Sequence, residues 1–158
     1  MYIIVGLDNT ISDDSWRAGK IDHAKEDVMA RNNEYHLLSG LDIPGNEWIV
    51  QKNNYKLAIL TARPKFYSPI LLEWLHRNEI TADCIIMRED HDLSSAADLK
   101  KKQLHALYKR MGITSSDIVS AFDDCKEVIE MYCKEGLQGH VMAIHKEHKN
   151  NDLYGKKA

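Results

Sequence analysis

The chain has 158 residues, 44% of them hydrophobic and 28% charged, with a formal net charge of -3. That length fits one domain able to enclose a core, and that balance argues against a surface coated with positive charge for nucleic acid, while leaving room for a local basic pocket. Cys84, Cys125 and Cys133 are too widely spaced to suggest a disulfide framework or a zinc site; no apolar run nears the ~20 residues that span a bilayer, and the N-terminal run is too short for a signal peptide, so a soluble, cytoplasmic protein is expected.

The first element is the apolar run Tyr2 to Val5, read as a strand buried on both faces. It opens into Gly6-Leu7-Asp8-Asn9-Thr10, a polar turn with one carboxylate and one hydroxyl. Alternate strand residues point the same way about 6.6 Å apart, so carboxylates at 6 and 8 would converge on one ligand. Only position 8 has one. Residues 12 to 46 then break the pattern: they are polar and mixed, with Trp16, Tyr35, His36, Leu37 and Leu38 as scattered anchors, and they end in Ile43-Pro44-Gly45. They are read as an insertion, partly helical, that lies over the carboxyl end of the sheet as a cap.

From there, strands and helices alternate. Leu57 to Leu60 reads as the second strand, with Thr61-Ala62-Arg63-Pro64 just beyond it. Phe66 to Asn78 has Ile70, Leu71, Trp74 and Leu75 on one helical face. A strand from Cys84 to Met87 precedes a helix from Asp98 to Met111, whose apolar face is Leu99, Leu104, Leu107 and Met111 and which Gly112 closes. A strand from Ile118 to Phe122 ends in Asp123-Asp124. The next helix, Cys125 to Glu135, presents Val128, Ile129, Tyr132 and Cys133 on one face, and His140 to Ile144 reads as the fifth strand. This order predicts right-handed crossovers and one parallel sheet in an α/β, Rossmann-like fold. The polar tail from 146 to 158 is expected to fray.

Asp8 and Thr10, Thr61 and Arg63, and Asp123 with Asp124 all follow strands of the same polarity, so a parallel sheet gathers them at one edge. Asp8, Asp123 and Asp124 form an oxygen-only acidic cluster of the kind that suits Mg²⁺. Thr61, Arg63 and Lys100 offer a hydroxyl and two cations for phosphoryl oxygens. Singly, each has an ordinary reading as a helix cap, a dipole partner or a solvated face. Four of them in order, at matching strand ends, point to a phosphate site. Trp16, Arg17 and Tyr35 could stack a base and meet a phosphate, or simply pack on the core. Cys125, near a helix N-terminus, is a position where a thiol pKa could fall, but with no histidine partner placed beside it, it is read as buried.

Across roughly residues 2 to 144 these motifs resemble those of the haloacid dehalogenase superfamily of phosphohydrolases. Thr61 to Pro64, Met87-Arg88-Glu89 leading to Asp98-Leu99-Lys100, and Ala121 to Asp124 look most like the 3′-phosphatase domain of phage-type polynucleotide kinase and its stand-alone phage relatives. The resemblance implies a single domain with a Mg²⁺-dependent aspartyl-phosphate mechanism and a nucleotide or nucleic-acid 3′ end as substrate. It places the general acid/base on Asp8, with the Leu7 carbonyl beside it available to the metal, and phosphate binding on Thr10, Thr61 and Arg63. The steadying cation falls on Lys100, with Lys101 as the register alternative, and the metal-ligand motif falls on Asp123 and Asp124. The nucleophilic aspartate falls on Gly6, which has no side chain to react. The expectation is a phosphatase whose covalent route is closed, or a pseudophosphatase that binds a nucleotide or protein.

Overall fold

A computed structural model describes residues 1–51 and 54–144; the polar tail expected from 146 onward lies outside them. In it, the strand pattern becomes a five-stranded parallel sheet in the order β5-β4-β1-β6-β7, formed by β1 (Tyr2–Val5), β4 (Lys56–Pro64), β5 (Cys84–Arg88), β6 (Ile118–Asp123) and β7 (Gly139–Val141). A separate antiparallel ribbon pairs β2 (Ser12–Asp13) with β3 (Ile43–Pro44). Four α-helices among the described residues accompany them: α1 (Val28–Leu37), α2 (Ser68–Arg77), α3 (Ala96–Met111) and α4 (Lys126–Lys134). No helix among the described residues is long and apolar enough to cross a membrane.

The alternation of β1 explains the layering. Tyr2 and Ile4 belong to a core with Leu104 and Leu107 of α3 and Val128, Ile129 and Tyr132 of α4. Ile3 and Val5 face the opposite core, with Leu71, Trp74 and Leu75 of α2 and with Ile11 and Ile49 from either side of the ribbon. Position 6 continues the α3 and α4 side, because successive strand residues alternate faces. β1 is central, and the chain crosses to β4 on one side and to β6 on the other. The carboxyl end of such a switch point is where open α/β sheets bind ligands.

Several sequence boundaries move. β4 runs on through Thr61 to Pro64, its register against β5 shifting between Leu60 and Pro64. The polar residues there hid the strand's last turn of pleat, and the irregularity re-aims the side chains. The last strand is Gly139–Val141 rather than His140 to Ile144, because Met142 leaves the ladder after donating to the Asp123 carbonyl (2.8 Å). α2 begins at Ser68, after a short 3-10 turn at Lys65–Tyr67. Cys133, expected on the buried face of α4, is exposed; Val128, Ile129 and Tyr132 carry that face without it. Ser95 caps α3, and Gly112 closes it at φ 65°, a left-handed conformation that glycine adopts without a side-chain clash.

Between Ser12 and Asn46 the chain forms the ribbon, two 3-10 turns and α1. A loop at its base fastens it to the sheet: the amides of Thr10, Ile11 and Ser12 all donate to the Leu7 carbonyl, at 3.0 Å each. On its far side, the Trp74 indole N–H of α2 donates to the Asp42 carbonyl at 2.9 Å. That bond fixes Asp42 over the sheet edge.

Candidate active site

Three neighbouring groups occupy the α3 side of the sheet edge. Gly6 stays in the ladder, its amide donating to the Phe122 carbonyl (3.0 Å). Lys100, buried one turn into α3, donates to the Leu60 carbonyl (2.5 Å) and to Asp123 Oδ2 (2.8 Å). The other Asp123 oxygen accepts the Cys125 amide (3.0 Å). A Cβ built on Gly6 would lie 2.7 Å from Asp123 Oδ2 and 3.4 Å from Lys100 Nζ. The ion pair therefore fills the space a side chain at 6 would need. Lys101 points away, exposed and 3.9 Å from Glu135, so Lys100 is the lysine at the sheet edge.

On the insertion side lies a second, more elaborate cluster. Asp42, its side chain wholly enclosed, accepts from Ser12 Oγ (2.5 Å), Trp16 Nε1 (2.9 Å), Arg17 Nε and Nη2 (2.8 Å each) and Arg63 Nη2 (3.4 Å). Asp8, 23% exposed, accepts from Arg17 Nη2 (2.6 Å) and Arg63 Nη2 (2.8 Å). Arg17 also donates to the Tyr35 carbonyl (2.9 Å) and lies over the Tyr35 ring, 4.1 Å from its centroid. Two guanidiniums are thus clamped between two carboxylates.

Arg17 and Asp42 were not assigned these roles from sequence. Arg17 is buried and paired with Asp8 and Asp42, whereas Trp16 beside it remains half exposed.

The electrostatics follow from this packing. Burial alone would raise the Asp8 pKa, but Arg63 and Arg17 outweigh it and hold the carboxyl well below the usual carboxylate range. Asp8 is an anion at neutral pH and, so paired, accepts hydrogen bonds but is a weak base. Asp124 goes the other way: burial, then the negative charges of Asp123 and Asp8, push it well above the usual range. The Cys125 thiol is pushed up to about 12, mainly by burial, so the fall considered for it from its helix position does not occur.

His36 faces the same cluster from α1, its ring 4.8 Å from that of Tyr67. Burial, with added repulsion from Arg63, Arg17 and Arg88, holds it down at about 3 against the attraction of Asp8. In the unfolded chain it protonates near 6.5. Between pH 3 and 6.5 the unfolded state therefore binds more protons, and stability rises with pH through that window. Acidifying from pH 7 to 4 is expected to remove roughly 3 kcal/mol through His36 alone. Urea midpoints across that range check it: His36→Gln should lose about one proton's worth of slope, and an unchanged slope would contradict the assignment.

The remaining expected residues serve mainly local structure. Thr61 Oγ1 accepts the Arg63 amide (3.1 Å), and its carbonyl takes Gln103 Nε2 (2.8 Å). Thr10 is fully enclosed; its carbonyl accepts Asn46 Nδ2 (2.9 Å), and its hydroxyl meets no partner among the described residues.

Mg²⁺ does not fit this arrangement. Asp123 is held by Lys100 and a backbone amide, Asp8 by two arginines, and Gly6 contributes no oxygen. The Leu7 carbonyl, expected to face a metal, is saturated by three amides. Among the described residues no group of three or more His, Cys, Asp or Glu side chains is placed to hold a metal.

No family model and no curated protein matches the chain. Solved structures do match its fold. A chain of a Pnkp1/Rnl/Hen1 complex aligns with a TM-score of 0.66 and 19% identity over 89% of this chain and 45% of its own length; this chain thus spans less than half of that partner. A haloacid dehalogenase-like hydrolase from Streptococcus pneumoniae aligns with a TM-score of 0.64 and 12% identity, covering 89% and 84%. A haloacid dehalogenase family enzyme from Bacteroides thetaiotaomicron, solved as a magnesium complex, gives 0.52 and 10%, covering 92% and 95%. The fold is that of the haloacid dehalogenase-like phosphohydrolases.

Proposed function

We propose that this chain binds a phosphate ester, that of a nucleotide or a nucleic-acid 3′ end, at the carboxyl edge of its sheet and does not turn it over by aspartyl-phosphate chemistry. The observation that carries this reading is the filled position beside Gly6, where Lys100 and Asp123 pair with each other and no nucleophile faces them. Arg63, Arg17 and Lys100 supply buried positive charge for the phosphate oxygens, and the nearby Asp8 remains an ionised acceptor. The likeness to a chain of an RNA repair complex supports a nucleic-acid end as the phosphate's carrier.

Calorimetry with 3′-phosphorylated oligonucleotides and nucleoside monophosphates, run alongside release of inorganic phosphate, tests this. Binding is expected without phosphate release. Steady turnover at ordinary enzyme rates, 1 s⁻¹ or faster in order of magnitude, would refute it. So would failure of every phosphate ester, and of inorganic phosphate, to bind.

A second reading follows from the retention of Asp8, Thr61, Arg63, Lys100 and Asp123 around a residue with no side chain, Gly6: a phosphohydrolase disabled at one residue. Restoring that residue separates the two readings, as argued in the Discussion.

A further inference from the structure

A cleft of about 390 Å³ opens beside the candidate site, between the insertion and the turn that follows β4, lined by Lys25, Asp27, Met29, Ala30, Asn33, Phe66 and Tyr67. Its floor is aromatic. Phe66 is 65% exposed although it is a large apolar ring, and Tyr67 meets it edge-on with centroids 5.1 Å apart. Both residues are tethered: the Phe66 amide donates to Asp90 Oδ1 (2.8 Å), and the Tyr67 hydroxyl donates to Asn33 Oδ1 (2.8 Å).

Tyr67 is the wall shared with the phosphate site, because its other side packs against His36, whose charge environment includes Asp8, Arg63 and Arg17. Only Pro64 and Lys65 lie between Arg63 and Phe66, at most about 10 Å of chain from one Cα to the other. That is the reach of one nucleotide unit from phosphate to base.

We propose that this cleft takes the base of the nucleotide whose phosphate lies at Arg63, with Phe66 as the stacking surface. The inference rests on the phosphate-binding reading above. A planar, weakly polar ring suits the occupant side, since aromatic stacking tolerates any base. Asn33, with its carboxamide oxygen engaged by Tyr67, directs its NH₂ to an acceptor on the ring edge. Lys25, exposed at the rim and 4.0 Å from Asp22, is the cation that would meet a neighbouring phosphate, where Asp27 is engaged as the cap of α1 through the Met29 amide (3.1 Å).

The test compares four probes by calorimetry: inorganic phosphate, ribose 5-phosphate, adenosine 3′-monophosphate and a 3′-phosphorylated trinucleotide. The mononucleotide is expected to bind about tenfold or more tighter than ribose 5-phosphate. Phe66→Ala should erase that advantage while leaving inorganic phosphate unchanged, and Phe66→Trp should restore it. A further gain for the trinucleotide, lost in Lys25→Ala, identifies a nucleic-acid end rather than a free nucleotide as the source.

Equal affinity for ribose 5-phosphate and the mononucleotide overturns the cleft assignment while the phosphate site stands. So does an effect of Phe66→Ala on inorganic phosphate as large as that on the nucleotide. Silence from all four probes overturns the phosphate reading and this inference with it.

Discussion

Changing Gly6 to Asp is expected to turn a chain silent toward phosphate esters into one that releases phosphate in the presence of Mg²⁺, with a gain of at least ~10⁴ in turnover, the usual worth of a nucleophile within a cooperating set. The gain needs a rearrangement. A Cβ at this position lies 2.7 Å from Asp123 Oδ2, so the Asp123 carboxylate has to swing aside and release part of its bond to Lys100. The atom that obstructs is the end of a side chain, not backbone, which makes the change feasible. Gly6→Ala separates the two effects: it brings the same collision and no carboxylate, so it should cost about 1–3 kcal/mol of stability and restore nothing. The size of the recovered rate also measures how far the arginine grip on Asp8 limits proton donation. If Gly6→Asp folds, binds phosphate esters and still releases none across a broad panel, the chain is a binding module in more than its sixth residue.

Arg17→Ala is expected to be among the most destabilising single changes in the insertion, costing about 3–5 kcal/mol. Asp42 has no exposed side-chain surface, and Arg17 gives it two of its charge-assisted bonds. Truncation leaves that carboxylate enclosed with Arg63 at 3.4 Å, a serine hydroxyl and an indole N–H. For a chain of this length the loss corresponds to a fall of roughly 10 °C in melting temperature. Arg17→Lys keeps the charge but loses the planar fork, and should fall between. Removing both partners, as Arg17→Met with Asp42→Leu, should cost less than the two single changes added together, because no uncompensated ion remains. A loss under 1 kcal/mol for Arg17→Ala would mean that the network is not what holds the insertion.

How much of this was legible beforehand depends on the kind of signal. The sheet and its helices were readable because apolar runs and 3.6-residue faces are local patterns, and the five strands come together in one parallel sheet as that alternation requires. Lys100 could have been separated from Lys101 on the same grounds, since it lies on the turn that carries Leu99, Gln103 and Leu104 inward. The last residues of β4 were hidden because Thr61 and Arg63 are polar in a strand, and their burial is accounted for by distant partners, Asp8 and Asp42 for Arg63 and Gln103 for Thr61. Arg17 and Asp42 were hidden for a deeper reason. Twenty-five residues separate them, and the polar insertion that carries both has no period from which partnership could be inferred.

The shared use of Arg17 and Arg63 has a consequence for how a ligand enters. Asp8 and Asp42 already occupy these guanidiniums as a built-in anion would, so an incoming phosphate competes with the protein's own carboxylates for the same donors. Occupancy and attachment of the insertion are then opposed by mass action: each arginine contact given to a ligand is withdrawn from the bonds that hold the ribbon and α1 over the sheet edge. The affinity observed is the intrinsic one diminished by the cost of that release.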